Sequence, residues 1–141
     1  MGTPADNKAL VQRFMTALST GDVAGAAACF DAERYYSHAH GADLTGTWEQ
    51  MKAWYRSGTF AGTSAERIAF FAEGDRVVNH SRVTAVHNGT YLGVPASGRT
   101  VTFDSMEIWR IEGDKIVEHW GGLHEATRLF LQMTGEEQPG D

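Results

Sequence analysis

Apolar residues in the first part of the chain recur at the spacing of an α-helix. Five of them fall on one helical face: Leu10, Val11, Phe14, Met15 and Leu18. Asp6 or Asn7 can cap this first helix, and Gly21 with Asp22 ends it. A short second helix, rich in alanine and therefore able to pack closely, is predicted over residues 23–30.

A third amphipathic helix is predicted over residues 47–57, with Thr47 as its N-cap. Its apolar face consists of Trp48, Met51, Trp54 and Tyr55. Between the second and third helices lies a segment rich in tyrosine and histidine, which runs into a loop of glycine and aspartate.

After Gly62 the spacing changes from helical to alternating, which is the pattern of β-strands. The predicted strands cover residues 66–71, 76–87, 90–94, 99–111 and 115–120. The dipeptide Asn88-Gly89 predicts a hairpin between two of these strands.

The end of the chain returns to helical spacing. Gly121-Gly122 is expected to break the last strand, and a final helix is predicted over residues 123–133 with Gly135 as its cap. Residues 136–141 are expected to form a frayed tail. Helices first, then an antiparallel meander, then a closing helix indicate an α+β fold.

The composition fits one globular domain, because 141 residues with 42% hydrophobic and 21% charged residues are ordinary for such a domain. The net charge of −6 argues against binding a nucleic acid, whose phosphates require a basic face. No apolar run approaches the roughly 20 residues of a membrane span. The lone Cys29 cannot form an intrachain disulfide, which favours a cytoplasmic location. It follows three alanines and precedes Phe30, so we expect it to be a buried core residue.

Common signatures of nucleotide and zinc sites are missing from the chain, including GxGxxG, CxxC pairs and HExxH. His38 and His40 are too close together to specify a metal site without further ligands. We therefore predict no metal site.

Three blocks in the second half carry a recognisable pattern. They are residues 87–99 (HNGTYLGVPASGR) followed by VTF, residues 108–120 (IWRIEGDKIVEHW) and residues 131–135 (LQMTG). This pattern resembles the SnoaL-like polyketide cyclases of the nuclear transport factor 2-like superfamily. The match is close over about residues 75–135 and looser before them.

The resemblance implies a cone-shaped α+β barrel, in which N-terminal helices pack in a curved antiparallel sheet with a C-terminal closing helix. It implies one deep pocket, and homodimers that pair through the outer sheet face. It also implies ring closure of a hydrophobic polyketide by intramolecular aldol condensation, without a metal or an organic cofactor.

The chain departs from the family at its acid/base residues. Many members have an acidic residue at the positions of Gly121 and His124, and the cyclases have a pocket histidine at the position of Glu107. Ordinary aldol chemistry therefore cannot simply be carried over to this chain.

Alternation along the fourth predicted strand places four side chains on one face: Phe103, Ser105, Glu107 and Trp109. The resemblance directs this face toward the pocket. A carboxylate between aromatic residues would be poorly solvated, which favours general acid/base work by Glu107. The alternative is a structural ion pair between Glu107 and a buried arginine, either Arg82 or Arg34.

Three further residues are candidates for proton transfer or for polarising a substrate oxygen. His124 would lie at the start of the closing helix, and Tyr36 and His38 are two residues apart, so an extended stretch would direct both to one side. The alternative is that these side chains, like His40, are exposed loop or capping residues.

His119 and Trp120 must point to opposite faces of the last strand. Because an aromatic side chain suits an apolar substrate, we expect Trp120 to face the pocket and His119 to face outward. The predicted substrate-binding residues are Trp54, Tyr91, Phe103, Ser105, Trp109 and Trp120. His87, just before the predicted hairpin, is expected to be exposed or at a dimer edge.

The sequence thus predicts a cofactor-independent cyclase or isomerase that acts on a hydrophobic, polyketide-type small molecule. Two other hypotheses remain open at this level. The chain could be a non-catalytic binding protein that has lost the acid/base pair, or a hydratase, an epoxide hydrolase or a ketosteroid-isomerase-like enzyme on the same fold.

Overall fold

The computed structural model describes residues 2–123 and 125–139. Within them lie four helices, α1 (Pro4–Ser19), α2 (Val23–Ala27), α3 (Leu44–Ser57) and α4 (Ala126–Met133). Five strands are β1 (Tyr36–Ser37), β2 (Phe60–Glu73), β3 (Arg76–His87), β4 (Thr100–Glu112) and β5 (Lys115–Leu123).

The five strands form one sheet in the order β1-β5-β4-β3-β2. The four long strands pair antiparallel, and the short β1 pairs parallel with β5. The predicted α+β fold is therefore confirmed, with the correction that the sheet is mixed rather than wholly antiparallel.

Two helices begin earlier than the sequence predicts. The first starts at Pro4 and is capped by Thr3, whose hydroxyl accepts the N–H of Asp6 while the Asp6 carboxylate accepts the N–H of Thr3. The third starts at Leu44 and is capped by Asp43, and Thr47 is a buried residue inside it. Both predictions placed the cap too late because several capping side chains precede each helix.

The hairpin predicted at Asn88-Gly89 is wrong. Strands β3 and β4 close instead at His87, whose N–H donates to the carbonyl of Arg99 at 2.8 Å. The N–H of Asn88 turns away to the carbonyl of Thr59 at 2.8 Å, and residues 90–94 form a turn rather than a strand. A tertiary contact to the start of β2 thus overrides the local turn signal.

The predicted break at Gly121-Gly122 is also wrong. Strand β5 continues through both glycines, which lie opposite Glu107 and Met106 of β4. Their φ angles of +155° and +133° suit residues without a Cβ. The closing helix is correspondingly shorter than predicted and starts at Ala126.

Two apolar clusters cover the inner face of the sheet. One packs α1, α2 and the start of α3 against Val77, Trp109, Ile111 and Ile116, and it holds Cys29, which is buried as predicted. The other consists of Val101, Phe103, Leu129 and Met133, with Phe60, Val83, Tyr91 and Val94 packed against it.

The outer face of the sheet exposes the large apolar side chains of Ile68, Phe71 and Met106. They fit the expected pairing of two copies through this face, and that pairing stays a prediction. Among the described residues, no helix combines the length and the apolar character needed to cross a membrane.

Candidate functional site

A band of polar side chains crosses the inner face of the sheet between the two apolar clusters. Alternation and strand register assign it Asn79 and Ser81 from β3, Ser105 and Glu107 from β4, and His119 from β5. Asn79 pairs with Glu107 and Ser81 with Ser105. Polar residues at positions that elsewhere build the core indicate a functional site.

Glu107 and His119 form the centre of this band. The Nε2 atom of His119 is in close hydrogen-bonding contact with Oε2 of Glu107. The His119 side chain is 8% exposed and the Glu107 side chain is 25% exposed. A buried imidazole therefore holds a carboxylate that a ligand can still reach.

The other ring nitrogen of His119 is held by a buried serine. Nδ1 lies 2.9 Å from Oγ of Ser37, a side chain with no exposed surface. Strand β1 brings Ser37 there, because Ser37 pairs directly with His119. The Ser37 Oγ also accepts the backbone N–H of His40 at 3.2 Å.

Hydrogen-bonding rules fix the protons of this network. An ionised carboxylate only accepts, so Nε2 of His119 donates to Glu107. In the neutral imidazole Nδ1 is then an acceptor, and the Ser37 hydroxyl donates to it. Since the hydroxyl is buried and engaged as donor and acceptor, Ser37 positions the imidazole and is no nucleophile.

Aromatic rings enclose His119. Its ring stacks on Trp109 at 5.6 Å and on His40 at 6.2 Å, measured between ring centres. Burial lowers the pKa of His40, and the charge of His119 adds to this effect. Burial therefore favours the neutral form of the His40 imidazole.

A neutral phenol lies next to the same network. Tyr35 is buried, and burial is the main reason that its pKa rises to about 12. The hydroxyls of Ser37 and Thr47 act in the opposite direction, while the charge of Glu107 raises the pKa further. Tyr35 therefore stays protonated at neutral pH.

Four aromatic rings form an apolar wall beyond Ser105. Phe60 lies 5.7 Å from Trp54, 5.2 Å from Tyr91 and 5.4 Å from Phe103 between ring centres. Trp54 is 43% exposed, so the wall is open to solvent. Three predicted substrate-binding residues are brought together here, and Phe60 joins them.

The predicted orientation of the last strand is wrong. His119 faces inward, and Trp120 lies on the outer face, where it stacks on His38 at 5.0 Å and lies under the Arg76 guanidinium at 4.5 Å. A bulge explains the reversal, because Arg110 pairs with Glu118 while Ile111 pairs with Ile116, which leaves one extra residue in β5.

Tyr36 and His38 point the same way, as predicted, with ring centres 5.2 Å apart. They point to the outer side, where Nε2 of His38 lies 2.7 Å from Oε2 of Glu118. The structure thus separates both residues from Glu107. Ser37, between them, points inward instead.

Neither arginine considered as a partner of Glu107 contacts it. Arg82 bonds Asp104 at 3.1 Å and Arg34 bonds Glu112 at 2.7 Å. Ser105 is the other neighbour of Glu107, with Oγ 3.3 Å from Oε1.

Three remaining predictions concern separate residues. Trp109 is buried in the core, where its indole touches His119. His87, expected to be exposed, is fully buried and lies 2.9 Å from the Ser97 hydroxyl, because the loop after β3 folds over it. His124 lies outside the described residues.

Gly121 is directly opposite Glu107 across the β4–β5 ladder. A Cβ on residue 121 would collide with the Glu107 carboxylate and come within 2.7 Å of the carbonyl oxygen of Met106. The Glu107 carboxylate thus occupies the space that a side chain from β5 would need. The glycine at position 121 therefore leaves the room that the Glu107 side chain needs.

Sequence reasoning missed His119, Ser37 and His40 as parts of the site. One signal was available, since Ser37 must point away from Tyr36 and His38 in an extended segment.

The structure also describes a cleft of about 570 Å³ between α1, α2 and the turn at Asp114, and neither Glu107 nor His119 lines it. In the described part of the chain, no group of three or more histidine, cysteine, aspartate or glutamate side chains is arranged to hold a metal ion.

Comparison of the whole chain with known proteins finds one matching family. The family model of SnoaL-like polyketide cyclases matches residues 9–129. No curated protein matches the chain.

Solved structures give the same fold. AclR, a proposed hydroxylase from Streptomyces galilaeus, is 26% identical, with a TM-score of 0.69 over 96% of this chain and 99% of AclR. IdmH, a proposed polyketide cyclase from Streptomyces antibioticus, is 19% identical, with a TM-score of 0.70 over 94% and 99%. An NTF2-like protein from Burkholderia thailandensis is 18% identical, with a TM-score of 0.64 over 95% and 98%.

Proposed function

This chain belongs to the family of SnoaL-like polyketide cyclases, and we propose that it is a cofactor-independent cyclase or isomerase of a hydrophobic, polyketide-type intermediate. One observation carries the proposal. The Glu107 carboxylate lies in a polar band beside an aromatic wall, is held by the buried His119, and is still partly accessible.

Glu107 is the general base in this proposal. It removes a proton from a carbon next to a ketone, and the electron pair left behind becomes an enolate. The enolate carbon then forms the new bond or is protonated at another position, and the proton held by Glu107 returns to the product. The reaction therefore needs no oxidant and no reductant.

His119 and Ser37 support this step without contacting the reacting carbon. The Nε2–H of His119 stabilises the ionised carboxylate and restricts its rotation. The Ser37 hydroxyl holds the imidazole in the tautomer that can donate. Fixed donors of this kind do not have to reorganise during the reaction.

The aromatic wall supplies the second part of the function. Trp54, Phe60, Tyr91 and Phe103 present ring faces and edges to one side of the band. Flat unsaturated rings pack well on such surfaces. Holding a flexible chain there in a reactive conformation contributes several kcal/mol, about 7 kcal/mol or more in well-oriented cases.

We expect the wild-type protein to accelerate hydrogen–deuterium exchange at the carbon next to the ketone of 1-tetralone, a bicyclic aromatic ketone. In Glu107→Gln the rate should fall at least about 100-fold, because an amide cannot accept the proton. Proton NMR in D₂O measures the exchange.

Glu112→Gln is the matched control, because Glu112 lies on the same strand and is half exposed in a surface ion pair. It should exchange like the wild type. Equal rates for wild type and Glu107→Gln would contradict the proposal. Binding of the ketone without any exchange would instead support a non-catalytic binding protein.

Hydration and epoxide hydrolysis, two reactions that the sequence leaves open, differ from cyclisation in their product. Both add the atoms of water, whereas isomerisation and ring closure by addition leave the mass unchanged, and ring closure by condensation lowers it by one water. Mass spectrometry of the product formed from a natural intermediate separates them.

A further inference from the structure

Arg67 of β2 reaches the inner side of the sheet and is fixed there by uncharged neighbours. Its Nε donates to Oδ1 of Asn79 and its Nη1 donates to Oε1 of Gln12, both at 2.9 Å. Its Nη2 lies 3.6 Å from the sulfur of Met15, and the guanidinium stacks on Phe70 at 4.0 Å from the ring centre.

None of these contacts, within the described residues, is with a carboxylate. By contrast, Arg110 and Arg128 each lie within 3 Å of a glutamate oxygen. The chain has 18 acidic residues against 12 basic ones, so acidic partners are plentiful. The Arg67 guanidinium is held in place by neutral acceptors, so it can form charge-assisted hydrogen bonds with an anionic group of a ligand.

Asn79 links this cation to the candidate site. It is 4% exposed, at a position of β3 that faces the core, and it is the cross-strand neighbour of Glu107. Both ends of its amide are used, since Oδ1 accepts from Arg67 and Nδ2 donates to the Ser81 hydroxyl at 3.0 Å. Burying an amide is costly unless it is hydrogen-bonded. Here the hydrogen bond from Arg67 holds the guanidinium against Asn79, the cross-strand neighbour of Glu107.

The guanidinium keeps donors for a ligand. Of five N–H groups, three point at Asn79, Gln12 and Met15, which leaves two. Arg67 is exposed, so an incoming group can reach these donors. Two N–H groups on a planar fork suit the two oxygens of a carboxylate.

We propose that Arg67 is an anion anchor, and that the substrate is a polyketide-type acid whose free carboxylate binds Arg67 while the carbon next to its ketone lies at Glu107. This inference rests on the proposed function for the position of the reacting carbon. The Arg67 anchor predicts that the substrate is an anion, whereas the aromatic wall by itself predicts only that the substrate is apolar.

The test compares 1-tetralone carrying a carboxylate on its aromatic ring with the methyl ester of the same compound. Wild-type protein should exchange the acid with a KM about tenfold to a hundredfold lower than the ester, as expected for a charge-assisted hydrogen bond. Arg67→Gln should raise the KM of the acid to that of the ester and change kcat little. Arg67→Lys, which keeps the charge but loses the fork, should fall between them.

Arg13→Gln is the matched control, because it removes the same charge from α1 next to a cleft that Glu107 does not line. It should keep the preference for the acid. Exchange of the ester by each variant shows that its site is folded. If Arg67→Gln does not fold, the wild-type comparison decides alone, since an acid that binds no better than its ester overturns the anchor.

Separate measurements distinguish a failure of the Arg67 anchor from a failure of Glu107 as the base. Tryptophan fluorescence measures binding of the acid and the ester to Glu107→Gln, where no exchange is expected. Binding of the acid that depends on Arg67, without exchange by the wild type, would support the anchor and overturn the proposed base. Exchange of both compounds with equal KM in wild type and Arg67→Gln would overturn the anchor and leave the base in place.

Discussion

The His119 imidazole owes its role to its neighbours rather than to its place in the sequence. Trp109 and His40 cover its ring, Ser37 engages Nδ1 and Glu107 engages Nε2. These neighbours come from two separate parts of the chain, the segment of residues 37–40 and strand β4. A single histidine is thereby converted into a fixed donor toward one carboxylate oxygen.

At this scale we predict that Ser37→Ala disturbs the tautomer of His119. Removing the hydroxyl leaves Nδ1 and the N–H of His40 without partners, so the free energy of unfolding should fall by about 1–3 kcal/mol. The kcat for ketone exchange should fall by about fivefold or more as the imidazole loses its fixed orientation. Nitrogen-15 NMR of the imidazole and the exchange assay measure the two effects.

Ser64→Ala, at an exposed serine of β2, is the control for the loss of a hydroxyl and should leave both readouts unchanged. An unaltered nitrogen spectrum together with an unaltered kcat in Ser37→Ala would show that the serine does not position His119.

At the scale of elements, helix α4 completes the sheet where β5 ends. The last pair of the β4–β5 ladder is Ser105 with Leu123, so the backbone of Thr102 extends beyond β5. The buried Gln132 side chain takes up that backbone, accepting the Thr102 N–H at 2.7 Å and donating to its carbonyl at 2.9 Å. The Gln132 side chain thus makes the two backbone hydrogen bonds to Thr102 that a further residue of β5 would otherwise make.

We therefore expect Gln132→Ala to lower the free energy of unfolding by about 2–4 kcal/mol, since it leaves two backbone groups unpaired and opens a space in the core. Urea denaturation followed by circular dichroism measures the change. Arg128→Ala, on the same helix, removes only a surface ion pair with Glu137 and should cost less than about 1 kcal/mol. Equal losses for the two variants would contradict the bridging role.

The elements also show where local signals suffice. The bounds of β3 follow from its Val- and Thr-rich run, and the predicted residues 76–87 match the observed strand. Helix starts were placed too late, because Thr3 and Asp43 compete with later capping residues in the same stretches. The strand predicted over residues 90–94 was lost to a long-range hydrogen bond of Asn88.

At the scale of the whole molecule, two apolar clusters stabilise the fold and the polar band between them carries the candidate chemistry. The helices of the first half and the core-facing residues of β3 and β4 build one cluster, and α4 with the 88–99 segment covers the other. Tyr35 belongs to the first cluster and also borders the polar network. Its ionisation therefore affects the stability of the whole domain.

We predict a loss of stability in alkaline solution that depends on Tyr35. An ordinary tyrosine has a pKa near 10, whereas burial raises the pKa of Tyr35 to about 12. Above pH 10 the unfolded chain loses this proton while the folded chain keeps it, so the free energy of unfolding falls as the pH rises from about 10 to about 12. Denaturation at several pH values measures the slope.

In Tyr35→Phe this part of the slope should disappear, since no group is left to ionise. Tyr55→Phe removes a tyrosine that is 70% exposed and should keep the wild-type slope. An identical alkaline slope in wild type and Tyr35→Phe would mean that the phenol is not responsible.

The sequence by itself determined the α+β class, most of the strands, the family resemblance and the shared face of Phe103, Ser105, Glu107 and Trp109. These features depend on spacing along one segment, which side-chain alternation transmits directly. The tertiary structure alone decided that His119 rather than Trp120 faces inward, and that Ser37 and Arg67 reach the polar band. A bulge in β5, the parallel pairing of β1 and the packing of α1 on β2 set those positions, and each joins segments far apart in the chain.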